Sequence, residues 1–326
     1  MARIVISPEV GTALRLGRPV VALESAAITS GLPREPSGRP AGVDFPGWRS
    51  DQPVHLECAL LLHRIVVEGG AAPAMVAVIE GDLCIGLSHE QIAALAAEPG
   101  AGKVSAGGLA AAMAGGRTAG TTVSATLAAC DRIGPIRVFA TGGIGGVHRN
   151  WQTLPDVSGD LDALASTQTC VVSAGAKSIL DLAATLQRLE SLNVPVIGYR
   201  SDHFARFYAP PAPSLPLAQR ADDAATIARL CLAHWRTLGR PGGVLVSNPV
   251  PSEHALDGSV VDAAIQIADE AARAQGVTGA ALTPFLLAEV NRLTDGRSVA
   301  SNLALLVNNA RLGGEIATAL SAAAVR

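Results

Sequence analysis

The chain is short of aromatic and of charged side chains. Aromatic residues make up 3% of its 326 residues and charged residues 16%, whereas hydrophobic residues make up 49%. A core with so few rings has to be filled by small aliphatic side chains, which pack closely where helices lie against a parallel sheet. The composition therefore favours a large α/β protein with ample material for a buried core.

A strong charge of either sign is also missing. The formal net charge is -3 and the sequence pI is about 6.2. This balance excludes bulk electrostatic attraction to nucleic acid or to an anionic membrane. No apolar run is long enough and free enough of charge to span a bilayer, so we expect no membrane partner. A bound phosphate would need a local cluster of donors.

The five cysteines are odd in number and show no paired metal spacing. They are Cys58, Cys84, Cys130, Cys170 and Cys231. Such scattered cysteines are typical of reduced thiols in a core. The first residues, Met-Ala-Arg-Ile-Val-Ile, lack the pattern of a secretory signal. Both observations lead us to expect a cytoplasmic protein.

Short β-branched runs alternate with helical stretches rich in alanine and leucine, which predicts a layered α/β fold. The predicted strands are Val20–Leu23, Met75–Ile79, Ile136–Ala140, Thr169–Ser173, Val194–Tyr199 and Val244–Ser247. The predicted helices are Val54–Glu68, Ser88–Ala97, Ser124–Ile133, Lys177–Leu189, Asp222–Leu238, Asp257–Gln275, Pro284–Leu293 and Val299–Leu320. We expect one catalytic domain over residues 1–326. A stretch at residues 33–53, rich in Pro, Gly and Arg, interrupts it as a long irregular excursion.

Polar residues follow three of the predicted strands, where ligand sites of α/β folds lie. Glu24 ends the first strand, and a buried glutamate there can serve as a general acid, although a solvated strand terminus is the alternative. Lys177 follows another strand. Burial and the start of a helix at this position would both favour its neutral amine, the form that attacks a carbonyl carbon. A lysine that reaches solvent is the alternative.

The loop between these strands carries four glycines next to His148 and Arg149. Glycine lets backbone N–H groups approach an anion, and the two basic side chains add donors. The spacing matches neither a Walker loop nor a dinucleotide fingerprint. An anion site is therefore predicted for this loop, which spans Ala140 to Arg149. Lys103 adds a further cation, for which a place on the surface is the ordinary alternative.

Asp156 and Asp160 lie four residues apart in Leu-Pro-Asp-Val-Ser-Gly-Asp-Leu. Carboxylates at this spacing suit a hard cation that keeps several waters. Helix capping and turn formation are the competing interpretation, because aspartate and serine are common there.

Taken together, these segments closely resemble the pseudouridine-5′-phosphate glycosidase family. The matching stretches, in chain order, are Val-Ala-Leu-Glu-Ser, Lys-Val-Ser, Thr-Thr-Val, Phe-Ala-Thr-Gly-Gly-Ile-Gly-Gly-Val-His-Arg, Ser-Ala-Gly-Ala-Lys-Ser-Ile-Leu-Asp, Val-Ser-Asn-Pro-Val-Pro, Thr-Pro-Phe-Leu-Leu and Val-Asn-Asn-Ala-Arg-Leu. The resemblance implies an α/β/α sandwich, a homotrimer and a Mn²⁺ ion. It also implies reversible cleavage of pseudouridine 5′-phosphate to uracil and ribose 5-phosphate.

The resemblance also assigns roles to single residues. Lys177 is similar to the family's Schiff-base nucleophile, Glu24 to its proton donor and Asp156 to its metal ligand. The implied substrate contacts are Lys103, Val123, His148, Ser158, Gly159, Asp160 and Asn302. A C–C glycosidic bond has no heteroatom leaving group to protonate. An amine and an acid beside the sugar carbon are therefore the groups that this chemistry needs.

The segment after Glu24 departs from the family pattern. Ala26, Ala27 and Ser30 replace the usual threonine, isoleucine and histidine. Smaller side chains there would widen the pocket for the aglycone, the ring that leaves or joins the sugar. We therefore expect a C-glycosynthase that joins ribose 5-phosphate to an electron-rich aromatic or heterocyclic ring. An ordinary pseudouridine-5′-phosphate glycosidase is one alternative. A non-catalytic phosphosugar-binding protein is another, although it would need neither the amine nor the acid.

Overall fold

The computed structural model describes residues 2–34, 45–134, 136–149, 151–153 and 155–324. Its strands are β1 (Ile4–Ile6), β2 (Val20–Leu23), β3 (Ala72–Ile79), β4 (Asp82–Ile85), β5 (Gly102–Val104), β6 (Ala119–Thr121), β7 (Val138–Ala140), β8 (Val147–His148), β9 (Cys170–Ser173), β10 (Leu180–Asp181), β11 (Val196–Tyr199), β12 (Arg220–Ala221) and β13 (Val244–Ser247). Its α-helices are α1 (Pro8–Arg15), α2 (Val54–Glu68), α3 (His89–Ala97), α4 (Leu109–Ala114), α5 (Val123–Ile133), α6 (Asp160–Ser166), α7 (Leu182–Ser191), α8 (Ala224–Leu232), α9 (Gly258–Ala274), α10 (Leu282–Leu293) and α11 (Arg297–Ala324).

Within this part of the chain, eleven strands form one mostly parallel sheet. The main order is β1-β4-β3-β2-β7-β9-β13-β11-β12, while β6 pairs with both β3 and β5. The pairings of β3 with β4 and with β6 are antiparallel. Every residue of β2, β7, β9 and β13 is buried. The centre of the sheet is therefore covered on both faces, which confirms the layered α/β/α sandwich predicted from the sequence.

Small side chains allow the longest helix to lie directly on the central strands. A Cβ atom at Gly313 of α11 would stand 3.2 Å from Ala140 Cβ and 3.4 Å from Val21 Cγ1. Helix α11 also packs against α2 and α8. The scarcity of rings in the sequence thus corresponds to a close approach of helix and sheet, with little space for larger side chains.

Several strands and helices begin and end where the sequence predicts, and one predicted helix start is wrong. Strands β2 and β13 and helix α2 have the predicted bounds. The helix predicted to begin at Lys177 begins instead at Leu182, with Asp181 as its N-cap. The intervening residues pair with the glycine loop, since β10 lies antiparallel to β8. The argument that a helix N-terminus acts on Lys177 is therefore wrong.

The excursion at residues 33–53 lies partly outside the described residues, which omit 35–44. The described remainder, residues 33–34 and 45–53, contains no regular helix or strand, and its second part packs against the body of the protein. Trp48 is buried and lies 6.3 Å from the ring of Phe45. Arg64 of α2 donates a hydrogen bond to the carbonyl of Pro46 at 3.1 Å.

The five cysteines are buried and carry free thiols, as predicted. Among the residues that the structure describes, no helix combines the length and the apolar character needed to cross a membrane.

Candidate active site

A small cavity of about 60 Å³ lies at the carboxyl ends of the central strands. Glu24, Lys103, Lys177 and Asn302 line it together, although they come from distant parts of the chain. The chain has two lysines, and both line this one cavity. The other 23 basic residues counted as Lys+Arg in the total of 25 are arginines. The lysine amines of the chain are thus confined to the place where a Schiff base would form.

Backbone geometry holds Lys177 beside the glycine loop. Gly175 has a φ of 77°, and a Cβ atom there would overlap the carbonyl oxygen of Ala205. Only glycine fits this left-handed turn without strain. The N–H of Lys177 then donates to the carbonyl of Ile144 at 3.1 Å. The backbone of Lys177 is therefore held by the tight turn at Gly175 and by its hydrogen bond to Ile144, and from there the side chain reaches the cavity.

Glu24 is held by the residue that follows the neighbouring strand. Thr141, directly after β7, donates a hydrogen bond from Oγ1 to Glu24 Oε1. Burial raises the pKa of Glu24, and the opposing effects of the Lys177 charge and the Thr141 hydrogen bond are smaller. A raised pKa favours the protonated carboxyl group, which is the form that a proton donor needs.

Lys103 lies in β5 and reaches the same cavity from the part of the sheet that β5 and β6 form. Burial and the nearby Lys177 lower the pKa of Lys103, while Asp160 and Glu24 act in the opposite direction. A partly buried cation of this kind attracts an anionic group, and its desolvation strengthens that attraction.

Asp160 organises the loops below the cavity and does not form a carboxylate pair with Asp156. Its side chain is buried, and its two oxygens accept hydrogen bonds from the N–H groups of Ser124 and Gly145, both at 2.8 Å. Both oxygens thus meet backbone amides. The competing interpretation from the sequence, that these residues shape turns and helix ends, is correct for Asp160. Ser158 and Gly159 lead into α6, and Ser158 Oγ accepts from the N–H of Asp160 at 3.2 Å.

Asp156 lies beside His148 on the other side of the glycine loop. The two side chains approach to 4.0 Å, between His148 Nε2 and Asp156 Oδ2, and Asp156 is 41% exposed. Burial lowers the pKa of His148, against the opposing pull of Asp156 and Asp269. Arg149 points elsewhere, toward Asp269 of α9 at 4.0 Å. The described residues contain no group of three or more His, Cys, Asp or Glu side chains that could hold a metal.

The predicted site residues therefore fall into two groups. Glu24, Lys103, Lys177 and Asn302 line the cavity, whereas the remaining predicted contacts do not. Those remaining residues are Val123, His148, Asp156, Ser158, Gly159 and Asp160. Val123 is the first residue of α5, and the whole residue is 1% exposed.

Sequence reasoning did not identify Thr141, Phe207 or the buried asparagines Asn248 and Asn309 as parts of this site. Asn309 of α11 donates to the carbonyl of Thr141 at 2.7 Å and accepts from Asn248 at 2.9 Å. Phe207 lines the cavity with a positive φ of 61°. The asparagines belong to the stretches Val-Ser-Asn-Pro and Val-Asn-Asn-Ala, whose resemblance to the family could have pointed to them as site residues. Nothing in the sequence marks Phe207.

The glycine loop can be tested at Gly145. A Cβ atom there would overlap Ser158 Oγ and lie 2.8 Å from Asp160 Oδ2. We expect Gly145→Ala to lower the free energy of unfolding by about 2 kcal/mol, because buried atoms must shift. Chemical denaturation measures this. Gly159→Ala is the control, since its φ is -63° and a Cβ atom there meets nothing within 4 Å. A change at Gly145 no larger than that of the control would contradict the packing described.

Asp160 offers a second test. In Asp160→Asn an amide NH₂ faces a backbone N–H that now donates to a carboxylate, so we expect a loss of about 2 kcal/mol in the free energy of unfolding. Asp162→Asn, on the same helix and 66% exposed, should change it by less than about 0.5 kcal/mol. Denaturant titration of both variants provides the comparison, and equal effects would show that the buried bonds are unimportant.

Comparison with known proteins agrees with this geometry. Residues 50–319 match the family model described as indigoidine synthase A like protein. Pseudouridine-5′-phosphate glycosidases from Herpetosiphon aurantiacus and Caldanaerobacter subterraneus are 44% and 42% identical to the chain. The alignments cover 98% and 97% of this chain, and 99% and 96% of the respective relatives. The prealnumycin C-glycosynthase AlnA, solved in complex with ribulose 5-phosphate, superposes with a TM-score of 0.85 at 38% identity, over 100% of this chain and 99% of its own.

These comparisons overturn the expectation of a C-glycosynthase. Full-length relatives at 42–44% identity are named as glycosidases, whereas the C-glycosynthase is 38% identical. Ala26, Ala27 and Ser30 do line the cavity, yet their small size alone does not indicate a different aglycone. The named relatives are enzymes, which also excludes the non-catalytic alternative. The chain is therefore an enzyme of the pseudouridine-5′-phosphate glycosidase family.

Proposed function

We propose that the protein cleaves pseudouridine 5′-phosphate reversibly to uracil and ribose 5-phosphate. The observation that carries this proposal is the meeting of both lysines of the chain with Glu24 in one cavity. The names of the full-length relatives support the same activity.

The chemistry assigns separate tasks to the amine and the acid. The sugar ring opens at its C1′–O4′ bond as the neutral amine of Lys177 bonds to C1′, and the proton that the amine loses goes to O4′. The nitrogen lone pair then forms a C=N bond as the C1′–C5 bond breaks, and C5 of the departing uracil takes a proton from Glu24. Water hydrolyses the iminium, returns a proton to Glu24 and releases ribose 5-phosphate. Every step is reversible, so the same groups can form the bond in the other direction.

The surrounding residues would hold the substrate. Lys103 supplies a cation for the phosphate or a sugar oxygen, and Asn302 supplies an amide for the base. Val123, His148 and Ser158 to Asp160 stay predicted substrate contacts that follow from the family resemblance. They do not line the cavity, and the carboxylate of Asp160 already accepts from the N–H of Ser124 at the start of α5. A second chamber of about 220 Å³ shares Ser30, Gly31, Pro284, Leu287 and Asn302 with the first cavity. A nucleotide would occupy both chambers.

A Mn²⁺ ion is part of the proposal. Asp156 would hold the ion together with water molecules. Its carboxylate is 41% exposed, and the side chain beside it is that of His148. The ion would contribute positive charge that orients the phosphosugar. A site with one carboxylate fits an ion that keeps most of its waters and does not fit an ion that needs a closed protein cage. The homotrimer also stays a prediction that follows from the family resemblance, and the cytoplasmic location stays one that follows from the cysteines and the first residues of the sequence.

Reductive trapping tests the proposal directly. The purified protein is incubated with ribose 5-phosphate and borohydride, and the peptides are analysed by mass spectrometry. We expect the reduced sugar adduct on Lys177 and none on Lys103, which is the matched control in the same cavity. No adduct, or an adduct confined to Lys103, would overturn the assignment of Lys177 as the nucleophile.

A further inference from the structure

A second and larger cavity lies at the opposite end of the central strands from Glu24. It has a volume of about 360 Å³ and lies where β2 and β7 begin, at Val20 and Val138. No residue that lines it also lines the active-site cavity. Helices α8 and α11 contribute its apolar wall through Leu232 and Leu320. A ligand there would leave the active site open.

The charged side chains of the described residues that line this cavity are all positive. They are Arg18, Arg137 and Arg236, and none of the described lining residues is a carboxylate. Among the described residues, none of the three forms an ion pair. Arg137 uses one N–H in a hydrogen bond to the carbonyl of Gln168 at 2.9 Å, which leaves its other donors available. Arg137 is exposed, as are Arg18 and Arg236. Partial desolvation and the charge of Arg236 lower the pKa of Arg137, while Asp131, outside the cavity, acts in the opposite direction. Arg137 and Arg236 therefore repel each other, and no carboxylate of the described residues that line the cavity offsets their charge.

The wall of the cavity is built by an unusual backbone element. Helix α8 continues as a π-helix at Ala233–Thr237, which places Trp235 and Arg236 at the cavity. Trp235 is fixed by a hydrogen bond from Nε1 to the carbonyl of Gly242 at 2.9 Å, and the guanidinium of Arg137 lies 5.9 Å from its ring centre. π-Helices are rare and occur often at functional sites. The other π-helix of the described residues, Ala27–Gly31, adjoins the active site.

We propose that this cavity binds a small phosphate monoester with a planar or apolar body, such as a nucleoside monophosphate. Guanidinium groups bind phosphate oxygens through paired hydrogen bonds, and three unpaired arginines around one cavity provide such donors. The aliphatic wall and the Arg137–Trp235 stack offer surfaces for a ring. The volume falls within the range of small-molecule sites.

Tryptophan emission tests the proposal with AMP as the probe. Trp235 lines this cavity, whereas the other tryptophans, Trp48 and Trp151, line neither this cavity nor the active-site cavity. We expect AMP to change the emission saturably, and Trp235→Phe to remove that change. In Arg137→Gln/Arg236→Gln the Kd for AMP should rise at least about tenfold, because two charged donors are lost. Uracil release should be unaffected.

Controls separate this site from the active site. Lys177→Ala should bind AMP with unchanged affinity. Inorganic phosphate should compete at least about tenfold more weakly than AMP, since it lacks the ring. If the double variant does not fold by circular dichroism, Arg236→Gln alone, whose side chain is exposed, should weaken AMP binding severalfold. No change up to about 10 mM AMP, equal affinity in the arginine variants, or equal binding of phosphate would overturn the proposal.

Discussion

Lys177→Ala is expected to abolish uracil release from pseudouridine 5′-phosphate, by roughly 10⁴-fold or more in kcat. No other amine in the cavity is held in the same place, since Lys103 reaches it from a different strand end. Without the nitrogen lone pair, nothing stabilises the electron-deficient C1′ when the electrons of the C1′–C5 bond leave with C5. Steady-state assay of uracil by absorbance or chromatography measures the loss.

Lys103→Ala is the matched control for this substitution. It removes a cation from the same cavity and leaves the amine of Lys177 in place. We expect a higher KM with borohydride trapping at Lys177 retained, because Lys103 binds and does not bond to the sugar. If Lys177→Ala kept more than about one hundredth of the native kcat, covalent catalysis by Lys177 would be wrong.

Glu24→Gln should separate proton transfer from covalent bonding. Glutamine can still accept the hydrogen bond from Thr141 but cannot supply a proton to the departing ring. We expect kcat for uracil release to fall by about 10² to 10⁴-fold, the usual contribution of a general acid. Trapping of ribose 5-phosphate on Lys177 should persist, since that step needs the amine. A variant that lost both activities would indicate a structural role for Glu24.

The pH profile provides an independent readout of Glu24. Burial raises the pKa of this carboxyl group above its ordinary value, so the protonated form persists to higher pH than in an exposed glutamate. Cleavage requires that form, and kcat/KM should therefore decline as pH rises through the raised pKa. Glu24→Gln should lack this decline. The same decline in the glutamine variant would assign it to another group.

The sequence predicted that the candidate catalytic residues meet at one edge of the sheet, because each follows a strand. Glu24 follows β2, the glycine loop follows β7 and Lys177 comes after β9, and these three strands are neighbours in the sheet. Parallel strands bring their carboxyl ends to one edge, so residues far apart in the chain meet there. The unbroken apolar runs in the sequence of these strands also predicted that all their residues would be buried.

Contacts made across the fold could not be predicted in the same way. Thr141 bonds to Glu24 across 117 residues, and Asn309 bonds to Thr141 across 168. These bonds depend on how α11 crosses the sheet, which no local pattern specifies. The helix expected to begin at Lys177 begins later, because β10 pairs with β8 instead. This contact between strands outweighs the local preference for helix. The sequence left open whether Asp160 binds a cation or shapes a turn, and its two backbone amide partners come from other segments of the chain.

The choice of aglycone shows a further limit of pattern reading. Ala26, Ala27 and Ser30 were correctly expected beside Glu24, and all three line the cavity. Their small size predicted a wider pocket, yet the inner cavity is only about 60 Å³, because Leu287, Leu306 and Phe207 close it from other elements. Substitutions in one segment do not determine the size of a pocket that several segments enclose.

The most direct test of the proposed activity is incubation of the purified protein with Mn²⁺ and pseudouridine 5′-phosphate, with uracil and ribose 5-phosphate quantified over time. The proposal predicts that both products form in equal amounts, and that Lys177→Ala forms neither. Absence of uracil from folded protein that still traps ribose 5-phosphate on Lys177 would contradict pseudouridine 5′-phosphate as the substrate.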